Sequence, residues 1–371
     1  MSRQGARDSG NVTGMPDALW NSTFLRACRG EPTTHTPVWL MRQAGRYMPH
    51  YRAIRARSSF LSLCKDPALS AEVAVHAREY LGVDAAIVFS DILVVLEALG
   101  MPLEFTQGDG PRLPIPLREP RQVAALRDPL QAAADLDYVH RTVGLTVSGL
   151  PAHIPCIGFC GGPFTLASYA IEGGSSRHFT VTKTFMYREP SAWEDLMERL
   201  VQALAAHLTL QIQAGATCVQ IFESWGGALN RADFARSVEP ALRRLIALLP
   251  RGVPVIAFAA GASHLQELIA GCGPDVLGVD TTGDLEQAFA SRDRHPALSA
   301  VQGNLDPCLL LATPQRLLAG AGAVLAEAAG RPGHIFNLGH GVLKETDPEQ
   351  ARRLVAFVQD STRHGRDGQH G

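Results

Sequence analysis

Lysine is nearly missing. Only Lys65, Lys183 and Lys344 occur, although Lys and Arg together number 34. The positive charge is therefore almost entirely arginine, which leaves few candidates for a Schiff-base lysine and favours planar recognition of carboxylates where arginines cluster. Net charge is also small, at -2, and a near-neutral pI argues against nucleic acid as the main partner. The seven cysteines contain no C-x-x-C pair. Cys156 and Cys160 would stand about 13 Å apart on a strand, too far to share one ion. An odd count without a disulfide framework reads as reduced and cytoplasmic. No signal peptide opens the chain. The longest apolar stretch, 83–103, is interrupted by Asp84, Asp91, Glu97 and Gly100, so no membrane span is expected. Walker, H-E-x-x-H and G-x-S-x-G motifs are missing. Gly320-Ala321-Gly322 falls in a helical pattern rather than after a strand, and His153 with Cys156 lacks further ligands at zinc spacing. These gaps leave no obvious cofactor cradle and no metal site.

What is present is an apolar share of 46% over 371 residues, enough for one large core. Positions 1–16 are rich in Gly, Ser, Arg and Asp and read as a disordered tail; 361–371 read as a polar tail. Between them, 17–29 look like a lead-in helix. Eight short apolar runs follow, at 38–41, 85–89, 154–159, 218–222, 254–258, 276–279, 300–302 and 334–338. Helical patterns separate them, among them 66–81, opened by Asp66-Pro67, and 124–150. From 191 a capping box of Ser191 and Glu194 leads Leu196, Leu200, Leu204, Leu208 and Ile212 along one face. The stretch 173–188 reads as a loop, and 101–120, dense in Pro and Gly, as a hairpin-like excursion. Eight strands alternating with helices predict an α/β fold, a single (β/α)8 TIM barrel over 17–360. A doubly wound open sheet is the alternative.

In a barrel the active site forms where the strands end, so the polar residues just after each run matter. The first run is followed by Arg42, Gln43, Ala44, Gly45 and Arg46, with Gly45 expected to let the backbone bend between the arginines. From Arg42 to Arg57 there are five arginines and no acid, a local cationic patch suited to an anionic small molecule. Asp91 follows the second run, Tyr169 lies beyond the third, Glu223-Ser224-Trp225 end the fourth and His340 follows the eighth. Each alone has a plain structural explanation, as a cap, a turn residue or a core histidine. Together they would line one mouth, offering guanidinium, carboxylate, phenol, hydroxyl and imidazole to a molecule carrying several carboxylates and N–H donors.

These motifs resemble the uroporphyrinogen decarboxylase family. The similar segments are Leu40-Met41-Arg42-Gln43-Ala44-Gly45-Arg46-Tyr47, Phe89-Ser90-Asp91-Ile92-Leu93, Gly162-Pro163-Phe164-Thr165-Leu166, Tyr169 with Glu172-Gly173-Gly174, Phe222-Glu223-Ser224-Trp225, Gln302-Gly303-Asn304-Leu305-Asp306-Pro307 and Phe336-Asn337-Leu338-Gly339-His340-Gly341. They span about 19–358 in family order. The resemblance implies a cytosolic, usually homodimeric barrel enzyme. It implies removal of the four acetate carboxyl groups of uroporphyrinogen III without a cofactor, giving coproporphyrinogen III in haem synthesis.

Losing CO2 leaves electrons that normally need a cofactor sink. A pyrrole serves as its own: protonating a ring carbon makes an iminium that accepts them. The resemblance then assigns Asp91 to the pyrrole N–H groups and the passing positive charge, and nearby guanidinium charge is expected to hold its pKa down. Arg42 and Arg46 would grip carboxylates, with Gln43, Ala44, Gly45, Tyr169, Ser224 and His340 as further substrate contacts. Arg42 is also the family's proposed proton donor, with water relayed by Arg42 or Tyr169 as competitor, because arginine hardly deprotonates. Departures from the family pattern fall at His50, His76-Ala77, Ala260, Thr281-Thr282 and Lys344, none on the residues just named. Two competing readings are a corrinoid-linked methyltransferase of the same barrel superfamily, which needs a His-x-Cys zinc site absent from this sequence, and a non-catalytic tetrapyrrole-binding protein.

Overall fold

The computed structural model describes residues 14–106 and 110–363. The expected tail over 1–16 lies outside the described residues except for its last three positions, as does the C-terminal tail from 364 on. Seven parallel strands run in sequence order around one sheet: β1 (Ala86–Ile87), β4 (Cys156–Gly161), β5 (Cys218–Glu223), β6 (Val255–Ala259), β7 (Val276–Gly278), β8 (Ala300–Leu305) and β9 (His334–Leu338). An antiparallel hairpin, β2 (Glu104–Thr106) with β3 (Gly110–Arg112), forms the expected excursion.

The first expected strand is reduced to a single bridge, Val38 to Phe336, yet it closes the barrel. The Phe336 N–H donates to Pro37 O at 2.8 Å on one side, and the Asp84 N–H donates to Val38 O at 2.8 Å on the other. The ladder stops there because side chains take the next donors. Leu40 N–H donates to Gln43 Oε1 at 3.3 Å, and Met41 N–H to Asn337 Oδ1 at 3.0 Å. Under the mouth, amides run through the barrel interior: Trp39 Nε1 donates to Gln302 Oε1, and Gln302 Nε2 to Gln220 Oε1. Buried polar groups must find partners, and these find each other, locking one register among three strands.

The helix Pro67–Leu81 begins where Asp66 accepts from Ala68 and Leu69 N–H groups, with Pro67 preset for the first turn. The long helix Pro190–Gln213 buries Leu196, Leu200, Leu204 and Leu208 as its spacing requires. Four expectations change. The Ser191–Glu194 capping box does not form; the helix starts from Glu189 with no side-chain cap, its first turn set by Pro190. The 124–150 pattern breaks into Pro120–Ala124, Pro129–Ala134 and Asp137–Gly149, because Pro129 lacks an N–H and Asp128 caps a new start. The lead-in is two short helices, Asp17–Trp20 and Thr23–Cys28, the second capped by Ser22. Within the supposed loop, Thr180–Arg188 is helical, entered through Phe179 at φ 51°, with Glu172 Oε1 accepting from the Thr182 N–H and hydroxyl. Among the described residues no helix is long and apolar enough to cross a membrane.

Candidate active site

The bend after the closing bridge is made by an arginine. Arg42 has φ 62°, a left-handed conformation that costs a non-glycine residue about 1–2 kcal/mol. Gly45, the residue expected to bend, keeps negative φ; its contribution is room, since a Cβ there would stand 3.2 Å from Arg42 O. Arg42's stem crosses Gly341, where an added Cβ would overlap Cδ and come within 2.7 Å of Cγ. A hydrogen bond of 2.9 Å from Val342 N–H to Met41 O ties the two segments together. The strained backbone and the missing Cβ therefore aim one guanidinium across the mouth.

The remaining residues of this loop divide into two kinds. Gln43 is 1% exposed, and its side chain is committed to Leu40 N–H and Ala85 O, so that side chain braces the loop. Ala44 packs against the core. Arg52 donates to Tyr47 O and Arg46 O, and Arg55 donates to Ser58 O and lies over Phe60. Arg42 and Arg46 are exposed, and neither has an ion-pair partner among the described residues. Arg57 is exposed as well, so the five-arginine patch leaves three guanidiniums without an ion-pair partner among the described residues. Of these, Arg42 lies within electrostatic reach of Asp91.

Asp91 stands after β1, half-buried, with Oδ1 accepting from Leu93 N–H at 2.8 Å. Burial pushes its carboxyl from 3.8 up to about 6, while the Leu93 N–H and Arg42 pull the other way. The expected guanidinium is present, but desolvation outweighs it; Asp91 is nonetheless ionised at neutral pH. Tyr169, on the helix Pro163–Glu172, stacks on Trp225 with ring centroids 3.9 Å apart. Burial, reinforced by the Asp91 charge and opposed by Arg42, raises its phenol to about 12, so it is a donor at any physiological pH. His340 is exposed; partial desolvation and then Arg42 lower its pKa, favouring the neutral imidazole. Arg42, Asp91, Tyr169 and His340 thus share one electrostatic neighbourhood. Ser224 lies between Glu223 and the stacked Trp225.

The departing residues lie away from this cluster or at its edge. His50 and His76 stack on each other at 3.9 Å, with His50 Nε2 2.9 Å from Glu72 Oε1, so two of the departures are partners in one contact. Thr282 donates to Asp280 Oδ1, whose other oxygen accepts from Gly261 N–H. A cavity of about 470 Å³ opens elsewhere, lined by Thr36, Arg331, His334 and Thr362 among others, at the end where β9 begins. It offers one guanidinium and no carboxylate, unlike the mouth.

Glu223, placed at the mouth by the sequence reading but given no role there, turns inward. It is 2% exposed, and its carboxylate accepts from the Phe164 and Thr165 N–H groups; an acid directly after an apolar run signalled its position but not those partners.

A family model described as uroporphyrinogen decarboxylase (URO-D) matches residues 19–361. The chain is 49% identical to a uroporphyrinogen decarboxylase of Chloroflexus aurantiacus, over 91% of this chain and 95% of that one. It is 46% identical to one of Streptomyces coelicolor, over 94% and 96%. Among solved structures, a methyltransferase from Methanosarcina mazei superposes with a TM-score of 0.78 at 17% identity, covering 92% of this chain and 99% of that one. At that identity the likeness shows the barrel alone.

Proposed function

The chain belongs to the uroporphyrinogen decarboxylase family, and from that premise we propose that the cluster at the barrel mouth carries out its reaction. The chain is a carboxy-lyase that converts uroporphyrinogen to coproporphyrinogen, releasing the acetate carboxyl groups as CO2, in porphyrin and haem biosynthesis. In our reading Asp91 accepts hydrogen bonds from the pyrrole N–H groups. A proton, delivered by Arg42 or by water relayed through Arg42 or Tyr169, adds to the ring carbon beside the acetate-bearing one and makes the ring an iminium. The bond to the carboxyl breaks to release CO2, its electrons forming an exocyclic double bond that neutralises the iminium. The exocyclic carbon then takes up a proton while the ring carbon gives its own back, leaving a methyl group. Asp91 opposes the transient cation throughout. A preorganised charge of this kind is worth roughly 3–4 kcal/mol. Arg42 and Arg46 hold substrate carboxylates, Tyr169 donates from its phenol, and Ser224 and His340 complete the grip. The pyrrole is its own electron sink, so this route needs no cofactor.

The observation that carries this reading is Asp91 itself: a desolvated carboxylate that accepts one backbone N–H and lies within electrostatic reach of Arg42 and Tyr169. The test is anaerobic incubation with reduced uroporphyrinogen, with products separated by carboxylate number, for wild type and Asp91→Asn. Wild type should descend from eight carboxylates to four, and Asp91→Asn should leave eight-carboxylate material. Equal turnover in both would remove Asp91 from the reaction. The reading extends to a reducing cytoplasm, supported by seven unpaired cysteines of which six are buried, and to a homodimer, supported by the family resemblance and tested by light scattering.

A further inference from the structure

We propose that Glu223 is a positioning residue, whose carboxylate clamps the start of the helix Pro163–Glu172 to the end of β5 so that Tyr169 and Ser224 keep one fixed spacing. The proposal rests on the reading of those two side chains as substrate contacts. A helix beginning leaves unpaired N–H groups, which its own N-cap side chain ordinarily satisfies. Here the N-cap is Gly162, which supplies no side-chain cap. The cap comes instead from the neighbouring strand. Glu223 accepts from Phe164 N–H at 3.0 Å, from Thr165 N–H at 2.7 Å and from the Thr165 hydroxyl. Gly162 has to be glycine for this, because an added Cβ would lie 2.7 Å from the Glu223 carboxyl carbon.

The connection then runs back to the strand. Thr165 Oγ1, having donated to Glu223, accepts from Trp225 N–H at 3.2 Å. Trp225 in turn carries Tyr169 on its ring face. Tyr169 lies four residues beyond Thr165, one turn along the same helix face. The circuit Glu223, Thr165, Trp225, Tyr169 encloses Ser224 and joins the two elements that deliver the phenol and the hydroxyl. A cap from within the helix would have stabilised the helix equally well without tying it to β5. Burial raises the Glu223 carboxyl to about 7 against the pull of its three donors, a cost that a purely local cap would avoid.

The test is a double-mutant cycle on kcat/KM. Thr165→Val keeps the shape and removes the hydroxyl that links Glu223 to Trp225. In the wild-type background it should lower kcat/KM about tenfold, and Thr165→Ser should return it to within about twofold. In a Tyr169→Phe/Ser224→Ala background, Thr165→Val should cost less than about twofold, because the groups being positioned are gone. Glu223→Gln, which turns one acceptor into a donor facing the helix start, should follow the same pattern. Equal factors in both backgrounds would make the clamp merely structural and overturn the proposal. Should Tyr169→Phe/Ser224→Ala itself leave kcat/KM unchanged, the substrate-contact reading fails and the proposal falls with it, by a result distinct from the first.

Discussion

Two aspartates flank the same short strand, and they have opposite surroundings. Asp84, before β1, accepts from Val38 N–H at 2.8 Å and Gln359 Nε2 at 3.0 Å, and stands 2.9 Å from His35 Nε2. It joins the barrel-closing segment, β1 and the last helix, Pro348–Ser361. Asp91, after β1, accepts one backbone N–H, and burial raises its carboxyl to about 6. A carboxylate whose oxygens are filled by the protein holds the fold together. One that is desolvated and left with open lone pairs is a cost to the fold, and such costs are kept where a ligand makes use of them. On the proposed function, the contrast between the two ends of β1 is one between a fastening and a site.

The sharpest way to break that contrast is to neutralise each acid in turn. Asp91→Asn should lower kcat/KM by about 10²–10³, read from the conversion of reduced uroporphyrinogen. It should also stabilise the protein. A carboxyl raised from 3.8 to about 6 in the folded state prefers the proton there. Its penalty is absent below about pH 4, grows as the pH rises to about 6 and is complete above that. At pH 8 this amounts to something on the order of 2–3 kcal/mol, and asparagine keeps the acceptor for Leu93 N–H. Melting at pH 8 should therefore favour Asp91→Asn, with the advantage gone near pH 4. An active or less stable variant would contradict the assignment.

Asp84→Asn should behave the other way. Its amide would turn a donor toward Val38, His35 or Gln359, leaving one of them unsatisfied at the barrel seam. Loss of about 2–4 kcal/mol is expected, measured by urea unfolding, with turnover per folded molecule within about threefold of wild type. A catalytic loss as large as that of Asp91→Asn would erase the distinction.

The strands that carry both aspartates were legible in the sequence because buried parallel strands read as unbroken apolar runs. The positions of Asp91 and Ser224 beyond strand ends were legible because a barrel fixes where its strand ends point. Other features depend on partners far away in the chain. The shortening of the first strand arises because Asn337 and Gln43 take donors that a ladder would use. The burial of the Gln43 side chain was not legible, since its partner Ala85 O lies 42 residues on. The left-handed bend falls on Arg42 rather than Gly45, and the Arg42 stem has its space from Gly341, nearly 300 residues later. Glu223 was visible as an acid at a strand end, but its task was not, because its donors lie about 60 residues earlier, at the beginning of another element. Local pattern reports burial and period; it does not report which distant backbone groups lack a partner.

Gly341→Ala tests the other half of the site by disturbing Arg42 without touching its charge. The new methyl would overlap the Arg42 stem, so the guanidinium must swing away from Asp91. A rise in KM of about tenfold is expected, equivalent to about 1.4 kcal/mol of lost carboxylate binding, with a smaller change in kcat. Unchanged KM would mean that Arg42 binds substrate from some other orientation.

The smallest effect is in the pH profile, and it follows from the same arrangement. Asp91 serves only when ionised, so kcat/KM should fall as the pH drops through about 6. Between pH 8 and pH 6 the change is about twofold for one titrating group. His340 should not add a limb at the usual histidine position, because desolvation and Arg42 lower its pKa. Arg42 is one of the influences pulling the Asp91 carboxyl down. Displacing it in Gly341→Ala should therefore move the acid limb upward, toward neutral pH, as well as weakening binding. A profile that stays in place in Gly341→Ala, measured with substrate well below KM, would show that the guanidinium and the carboxylate act independently. The open end of β1 would then be two separate sites rather than one charge pair shared with the substrate.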